Sequence, residues 1–172
     1  MEPAGLEATL LLSDGTSIHF RAVQPGDAAL VRKLFYSLSQ QSIYNRFMHN
    51  LRQLSPKQAQ ELVSLPRHSD VGIAGVLPEG PGEALIAMGG YYVNPQTNMA
   101  EVALVVRDDL HNKGIGTFLL THLAKIAKSH GISGFTAEVL PGNQAMQAVF
   151  EKLGFQSSIT LDDEVLNYWI EF

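Results

Sequence analysis

The sequence predicts an α/β (α+β) fold in one domain over residues 1–172, with a mostly antiparallel central sheet of about seven strands flanked by about four helices. Three observations predict it. β-rich segments follow one another across turn residues between Val71 and Val106, and apolar residues recur at helical spacing in four places. A strand, a glycine-bearing loop and an amphipathic helix then run together between Glu101 and Gly131. With 172 residues, 45% of them hydrophobic and 17% charged, the chain can bury one core but is too short for two ordinary domains.

The elements follow in order. Asp14-Gly15 is a turn signal, and Ile18, Phe20 and Ala22 alternate with His19 and Arg21, which predicts a hairpin with Thr9–Leu12. From Asp27, read as an N-cap, Leu30, Val31, Leu34, Phe35 and Leu38 mark a first helix. Residues 37–51 lack periodicity and read as a structured loop with a helical turn. Ser55-Pro56-Lys57-Gln58 is a capping box with proline at the first helical position, and Ala59, Leu62 and Val63 continue that helix until Pro66. Val71–Leu77, Ala84–Val93 and Met99–Val106 predict three antiparallel strands. Ile115, Leu119, Leu123 and Ile126 form a helical stripe closed by Gly131. Phe135–Leu140 is a strand, Asn143–Leu153 a helix ended by Gly154, and Phe155–Ile159 with Val165–Phe172 a final strand pair.

Composition narrows the chemistry. A net charge of -5 argues against the basic surface that nucleic acid requires, and no segment approaches the roughly 20 apolar residues that span a bilayer. Residues 1–12 carry acidic residues and no basic n-region, so no secretion signal is read, and a soluble cytoplasmic protein is expected. Without cysteine there is no disulfide, thiolate metal site or acyl-cysteine intermediate. The six histidines are scattered without ligand spacing, and no metal is expected.

The stretch EVALVVRDDLHNKGIGT, residues 101–117, carries the functional signal. Gly114 and Gly116 stand where a helix begins, so backbone N–H groups and the helix dipole face whatever approaches, which suits an anion such as a pyrophosphate. Two other phosphate loops do not fit. A Walker loop needs lysine after its last glycine, whereas Lys113 precedes Gly114, and a dinucleotide fingerprint needs a third glycine where Leu119 stands.

VVRDDLHNKGIGTFLLTHLAKIAKSHG resembles the coenzyme A motif of the GNAT superfamily of N-acetyltransferases, whose core reads Gln/Arg-x-x-Gly-x-Gly/Ala, and NQAMQAVFEKLGF resembles that superfamily's downstream helix and Leu-Gly-Phe ending. Within it, AEVALVVRDDLHNKGIG and SLSQQSIYNRF look most like bacterial protein lysine acetyltransferases. The resemblance implies a mixed sheet in which one parallel pair splays to admit acetyl-CoA. Backbone groups near Val105 and Val106 would bond the pantetheine arm. The loop and helix start, through His111, Asn112, Lys113, Gly114, Ile115, Gly116 and Thr117, would hold the pyrophosphate. Asn143 has two readings that are compatible, a coenzyme A contact and the N-cap of its helix. The family's Gln or Arg is His111 in this sequence, which alters one phosphate-side contact.

Catalysis needs a base, because only on the order of one lysine in a thousand is unprotonated at neutral pH with a pKa of roughly 10.4. The resemblance places the family's general-base glutamate at Glu101, where an apolar strand would raise its pKa; the competing reading is a sheet-end carboxylate paired with a cation. The family's thiolate-protonating tyrosine is Phe150 in this sequence. Tyr44 and Arg46 resemble the family's substrate-side segment, with packing the simpler role; Asp108 and Asp109 could face a cationic substrate but read as solvated loop acids, and Glu138 could approach the acceptor but is more simply a polar strand position. The acceptor is thus a protein lysine or a small amine. A non-catalytic acyl-CoA sensor is a third reading, permitted by His111 and Phe150 and opposed by Glu101. Such catalytic domains are often joined to a regulatory domain, for which 172 residues leave no room, so regulation is expected from a partner or from substrate supply. The resemblance also brings with it a homodimer, for which the sequence shows no interface signature.

Overall fold

The computed structural model describes residues 5–65 and 68–172. The strands are β1 (Ala8–Leu11), β2 (Ser17–Ala22), β3 (Val71–Glu79), β4 (Gly82–Asn94), β5 (Met99–Val106), β6 (Gly134–Val139), β7 (Gln156–Asp162) and β8 (Val165–Glu171). The helices are α1 (Ala28–Ser37), α2 (Gln40–Phe47), α3 (Pro56–Val63), α4 (Ile115–Ser129) and α5 (Gln144–Lys152). All eight strands form one sheet in the order β1-β2-β3-β4-β5-β6-β8-β7. Every neighbouring pair is antiparallel except β5 with β6.

Alternation along the strands divides the core in two. On one face α4 and α5 cover Phe20, Ile73, Ile86, Val102, Phe135 and Ile170. On the other, α1, α2 and α3 bury Val31, Leu34, Phe35 and Ile43 against Ala74 and Leu85, so these helices cover the β3–β5 part of the sheet. That second face of β6, β8 and β7 carries Thr136, Glu138, Asn167, Trp169 and Glu171, which are half-buried or exposed.

Three local outcomes differ from the reading of the sequence. The segment read as a loop with a helical turn contains α2, eight residues long, started by the Ser39 hydroxyl accepting from the Ser42 N–H at 3.1 Å and ended by Met48 at φ 62°. Its only buried residue is Ile43, too little to make an apolar stripe. Asp27 precedes α1 but does not cap it; its carboxylate takes two bonds from the Arg21 guanidinium, at 2.8 and 3.0 Å, and a third from the Gln24 N–H at 2.8 Å. Burial would push the Asp27 carboxyl up, but these bonds outweigh it and hold the group below the ordinary carboxylate value. Arg21, read as an outward strand position, is therefore half of a covered ion pair. At α3 the capping box forms as expected, with Ser55 and Gln58 exchanging bonds at 2.8 and 3.0 Å, while Pro66 lies outside the described residues.

Among the described residues no helix is long and apolar enough to cross a membrane, and no group of three or more His, Asp or Glu is placed to hold a metal ion.

Candidate acyl-transfer site

The parallel ladder between β5 and β6 is short. It comprises Met99↔Gly134, Ala100↔Phe135 and Glu101↔Thr136, and there it ends. From Val102 to Val106, β5 keeps its partner β4 but has none on the other side, while β6 stays bonded to β8 through Val139. The two central strands thus diverge from Glu101 onward, leaving a gap whose walls include the backbones of Val105 and Val106.

The loop after β5 delivers the start of α4 to this gap. Asn112 and Gly114 take the left-handed region, φ 63° and 81°, and Gly114 is the N-cap of α4. A Cβ on Gly114 would meet nothing within 4 Å, so glycine is required there by its backbone angle and not by crowding. At Gly116 a Cβ would touch Val149 at 3.6 Å and Leu104 at 3.7 Å, which shows how closely α4, α5 and β5 meet. The first helical bond runs from the Phe118 N–H to the Gly114 carbonyl, at 3.0 Å. Within the described residues, the N–H groups of Lys113, Gly114, Ile115, Gly116 and Thr117 have no acceptor. Side chains cap α2, α3 and α5, whereas α4 has no side-chain cap. An uncapped N-terminus with five free donors, beside the Lys113 cation, has the chemistry that suits an anion.

The remaining loop residues have defined partners. His111 is exposed, and its Nε2–H donates to the Val106 carbonyl at 2.8 Å, so this ring closes the end of β5. Asp109 is held below its ordinary pKa by the Arg107 side chain, which donates to it at 2.6 Å. Asp108, read as solvated, bonds the start of α2 instead. Its carboxylate accepts from the Ser39 N–H at 3.2 Å and from the Ser42 hydroxyl at 3.0 Å, bonds that outweigh the upward push of burial and lower its pKa. Asn143 caps α5, accepting from the Met146 N–H at 3.2 Å.

Glu101 stands at the apex of the gap, and its side chain is exposed instead of sunk among apolar residues. Its cross-strand neighbour on β4 is Tyr92. The two adjacent tyrosines diverge: Tyr91 is buried on the α4 face, where burial and Asp70 push its hydroxyl up to about 12, while Tyr92 lies 39% exposed on the face of Glu101. Tyr92, Glu101, Thr136, Trp169 and Asp70 line an open recess of about 510 Å³. Arg46 of α2 lines an apolar slot with Phe47, Tyr92 and Val105. Burial pushes its guanidinium pKa down, against the opposing pull of Tyr92 and Glu101. Tyr44 remains 38% exposed on α2. Phe150 is buried and stacks on Tyr168 at 4.9 Å, so the ring in place of the family's tyrosine belongs to the core.

The structure therefore brings together the sequence-selected Glu101, Val105, Val106 and the segment 111–117, with Asn143 at the start of the neighbouring helix. It adds Tyr92, Thr136 and Trp169, which the sequence reading passed over. Their local signal is faint: Tyr92 and Trp169 are aromatic residues at outward positions of alternating strands, and only the register of four strands aligns them.

Comparison with known proteins agrees with this geometry. The pattern of the acetyltransferase (GNAT) family matches residues 40–155. The chain is 31% identical over 143 residues to Acetyltransferase Pat of Mycolicibacterium smegmatis, which covers 81% of this chain and 41% of that relative. The crystal structure of the GNAT domain of S. lividans PAT superposes with a TM-score of 0.86 at 29% identity, covering 100% of both chains. A cAMP-binding acyltransferase from Mycobacterium smegmatis, in a mutant form, superposes with a TM-score of 0.62 at 25% identity, covering 96% of this chain and 47% of the other. The chain thus spans less than half the length of these two mycobacterial relatives. A match over residues 40–155, on a sheet that splays beside an uncapped helix start, establishes that this chain belongs to the acetyltransferase (GNAT) family.

Proposed function

We propose that this protein is an acetyl-CoA-dependent N-acetyltransferase that moves an acetyl group directly to the side-chain amine of a protein lysine. The observation that carries the reading is the place of Glu101, at the last pair of the parallel ladder, with the gap and the start of α4 on one side and an open recess on the other. The N–H groups of Lys113, Gly114, Ile115, Gly116 and Thr117 suit a pyrophosphate, the free edge of β5 near Val105 and Val106 suits an extended amide-bearing arm, and His111, Asn112 and Asn143 border them. When bound, acetyl-CoA supplies the activated acyl group.

The protein's own work is to align and to move a proton. Glu101 takes a proton from the incoming ammonium, directly or through a water, and frees the nitrogen lone pair for the acyl carbon. Without cysteine there is no covalent acyl-thiol relay, so both partners meet at one place. With Phe150 in the core, the chain offers no tyrosine hydroxyl at that position, and the second proton that the nitrogen sheds as the amide forms would reach the leaving thiolate through water. A relative named Acetyltransferase Pat and the solved GNAT domain of S. lividans PAT support the acyl-transfer class.

The test is Glu101→Gln. Acetyl-transfer assays should show kcat/KM for a lysine peptide falling by about 10²–10⁴-fold, while calorimetry finds acetyl-CoA affinity unchanged within about 2-fold. A wild-type protein that binds no acetyl-CoA, or a variant with full turnover, would overturn the reading.

A further inference from the structure

The residues beside Glu101 form a row across the sheet. Tyr92 pairs with Glu101, Glu101 with Thr136 and Thr136 with Trp169, one residue from each of four adjacent strands, all on the face that α4 and α5 do not cover. At about 4.8 Å per strand spacing, the two aromatic residues stand about 14 Å apart at the backbone, with Glu101 and Thr136 between them as a floor. Both rings are accessible, Tyr92 at 39% and Trp169 at 41%. The indole is held in place by its N–H, which donates to Glu171 Oε1 at 3.2 Å. On the same face of β6 and β8, one register step to either side of the Thr136–Trp169 pair, Glu138 and Glu171 are exposed.

We propose that Tyr92 and Trp169 are the walls of an acceptor recess that takes the side chain of a protein lysine, with residues flanking that lysine lying over the acidic sheet face marked by Glu138 and Glu171. The inference rests on the acyl-transfer reading and adds to it the residues that choose the acceptor. Charge complementarity selects the occupant. A lysine has an aliphatic stem that packs along aromatic rings and a cationic end that their faces attract, and the carboxylate at the floor is Glu101. The charged and titratable side chains that border the recess are Asp70, Tyr92 and Glu101, and the Arg46 cation lines an adjoining slot that Tyr92 also borders, near enough for Tyr92 and Glu101 to act on its charge. A flat, open and acidic surroundings suits a basic protein surface better than a small free amine, which would gain nothing from Glu138 or Glu171. Tyr92 and Trp169 are specificity residues on this account, and the proton transfer belongs to Glu101.

Trp169 is the only tryptophan in the chain, so its fluorescence reads the recess without any turnover. A lysine peptide with basic flanks should change Trp169 emission saturably, and the same peptide with norleucine in place of lysine should need about 10-fold higher concentration. In acetyl-transfer assays, Trp169→Ala and Tyr92→Ala should each raise the peptide KM about 10-fold with kcat within about 3-fold of wild type. Trp169→Phe should recover most of that KM. Glu138→Lys, which leaves the Trp169–Glu171 bond intact, should raise KM for the basic-flanked peptide more than for a single capped lysine. Turnover with a peptide KM unmoved by both alanine variants, a loss confined to kcat, or use of small amines but no peptide would overturn the recess and leave acetyl transfer standing. Absence of acetyl-CoA binding by the wild type would instead overturn the underlying reading, and equal fluorescence responses to lysine and norleucine peptides would overturn the recess in either case.

Discussion

The starts of α3 and α4 are built to opposite ends. At α3, Ser55 and Gln58 satisfy each other's N–H groups, and the helix needs nothing further. At α4, the longest helix of the fold, a left-handed glycine replaces the capping side chain, and donors that a protein ordinarily satisfies are left facing a gap in the sheet. The difference teaches that a closed helix end serves stability and an open one serves binding. The start of α1 also lacks a side-chain cap, but it continues directly from the 3-10 turn Pro25–Asp27, and Asp27 gives its carboxylate to Arg21 and Gln24.

Substitutions at these ends should separate along the same division. The largest effect is expected from Gly114→Glu, which places a carboxylate among the free donors and strains a backbone at φ 81°. Calorimetry should show acetyl-CoA affinity reduced beyond about 1,000-fold, on the order of 4 kcal/mol, with the far-ultraviolet circular dichroism spectrum retained. Equal affinity in the variant would mean that the open end is not the cofactor site.

Next comes Asp27→Asn. Removing one partner of a covered pair typically costs about 3–5 kcal/mol, but Glu83, 3.3 Å from the Arg21 guanidinium, keeps part of its compensation, so a loss of about 2–3 kcal/mol is expected in urea unfolding at neutral pH. The Asp27 pKa is lowered in the folded state, so its stabilisation is complete above the ordinary carboxylate value near about 4 and disappears as pH falls through the lower folded value. Wild type and variant should therefore converge in stability only under strongly acidic conditions, and a gap that closed already at pH 6 would refute this origin.

The smallest effect is expected from Ser55→Ala, about 1 kcal/mol in thermal or urea unfolding, with acetyl-CoA affinity unmoved. A change in affinity here would blur the separation between closed and open ends.

How much of this was legible in the sequence follows the range of each interaction. The Ser55–Gln58 box and the Gly114–Gly116 loop are signals contained within a few residues, and both were read correctly as local structure. The divergence of β5 from β6 has no local signature and entered only through family resemblance. Arg21 and Asp27 lie six residues apart on different elements, so strand alternation alone sent Arg21 outward. α2 escaped because one buried residue in eight makes no stripe. The row from Tyr92 to Trp169 depends on the pairing register of four strands, and no window of sequence holds that register.

The three-pair ladder also has a mechanical meaning. The sheet is continuous from β1 to β7, yet at its middle it is stitched by only Met99, Ala100 and Glu101 against Gly134, Phe135 and Thr136. Elsewhere the neighbouring strands share longer ladders, such as the eight pairs from Ala87↔Val106 to Asn94↔Met99. The slit in which we propose the cofactor lies is thus a seam in the sheet's hydrogen bonding, bridged by α4 where it packs on β4, β5 and β6. On the proposed reading, a molecule lodged in that slit and bonded to strand edge and helix start would serve as a missing rung, and its concentration would become one of the forces that hold the protein together.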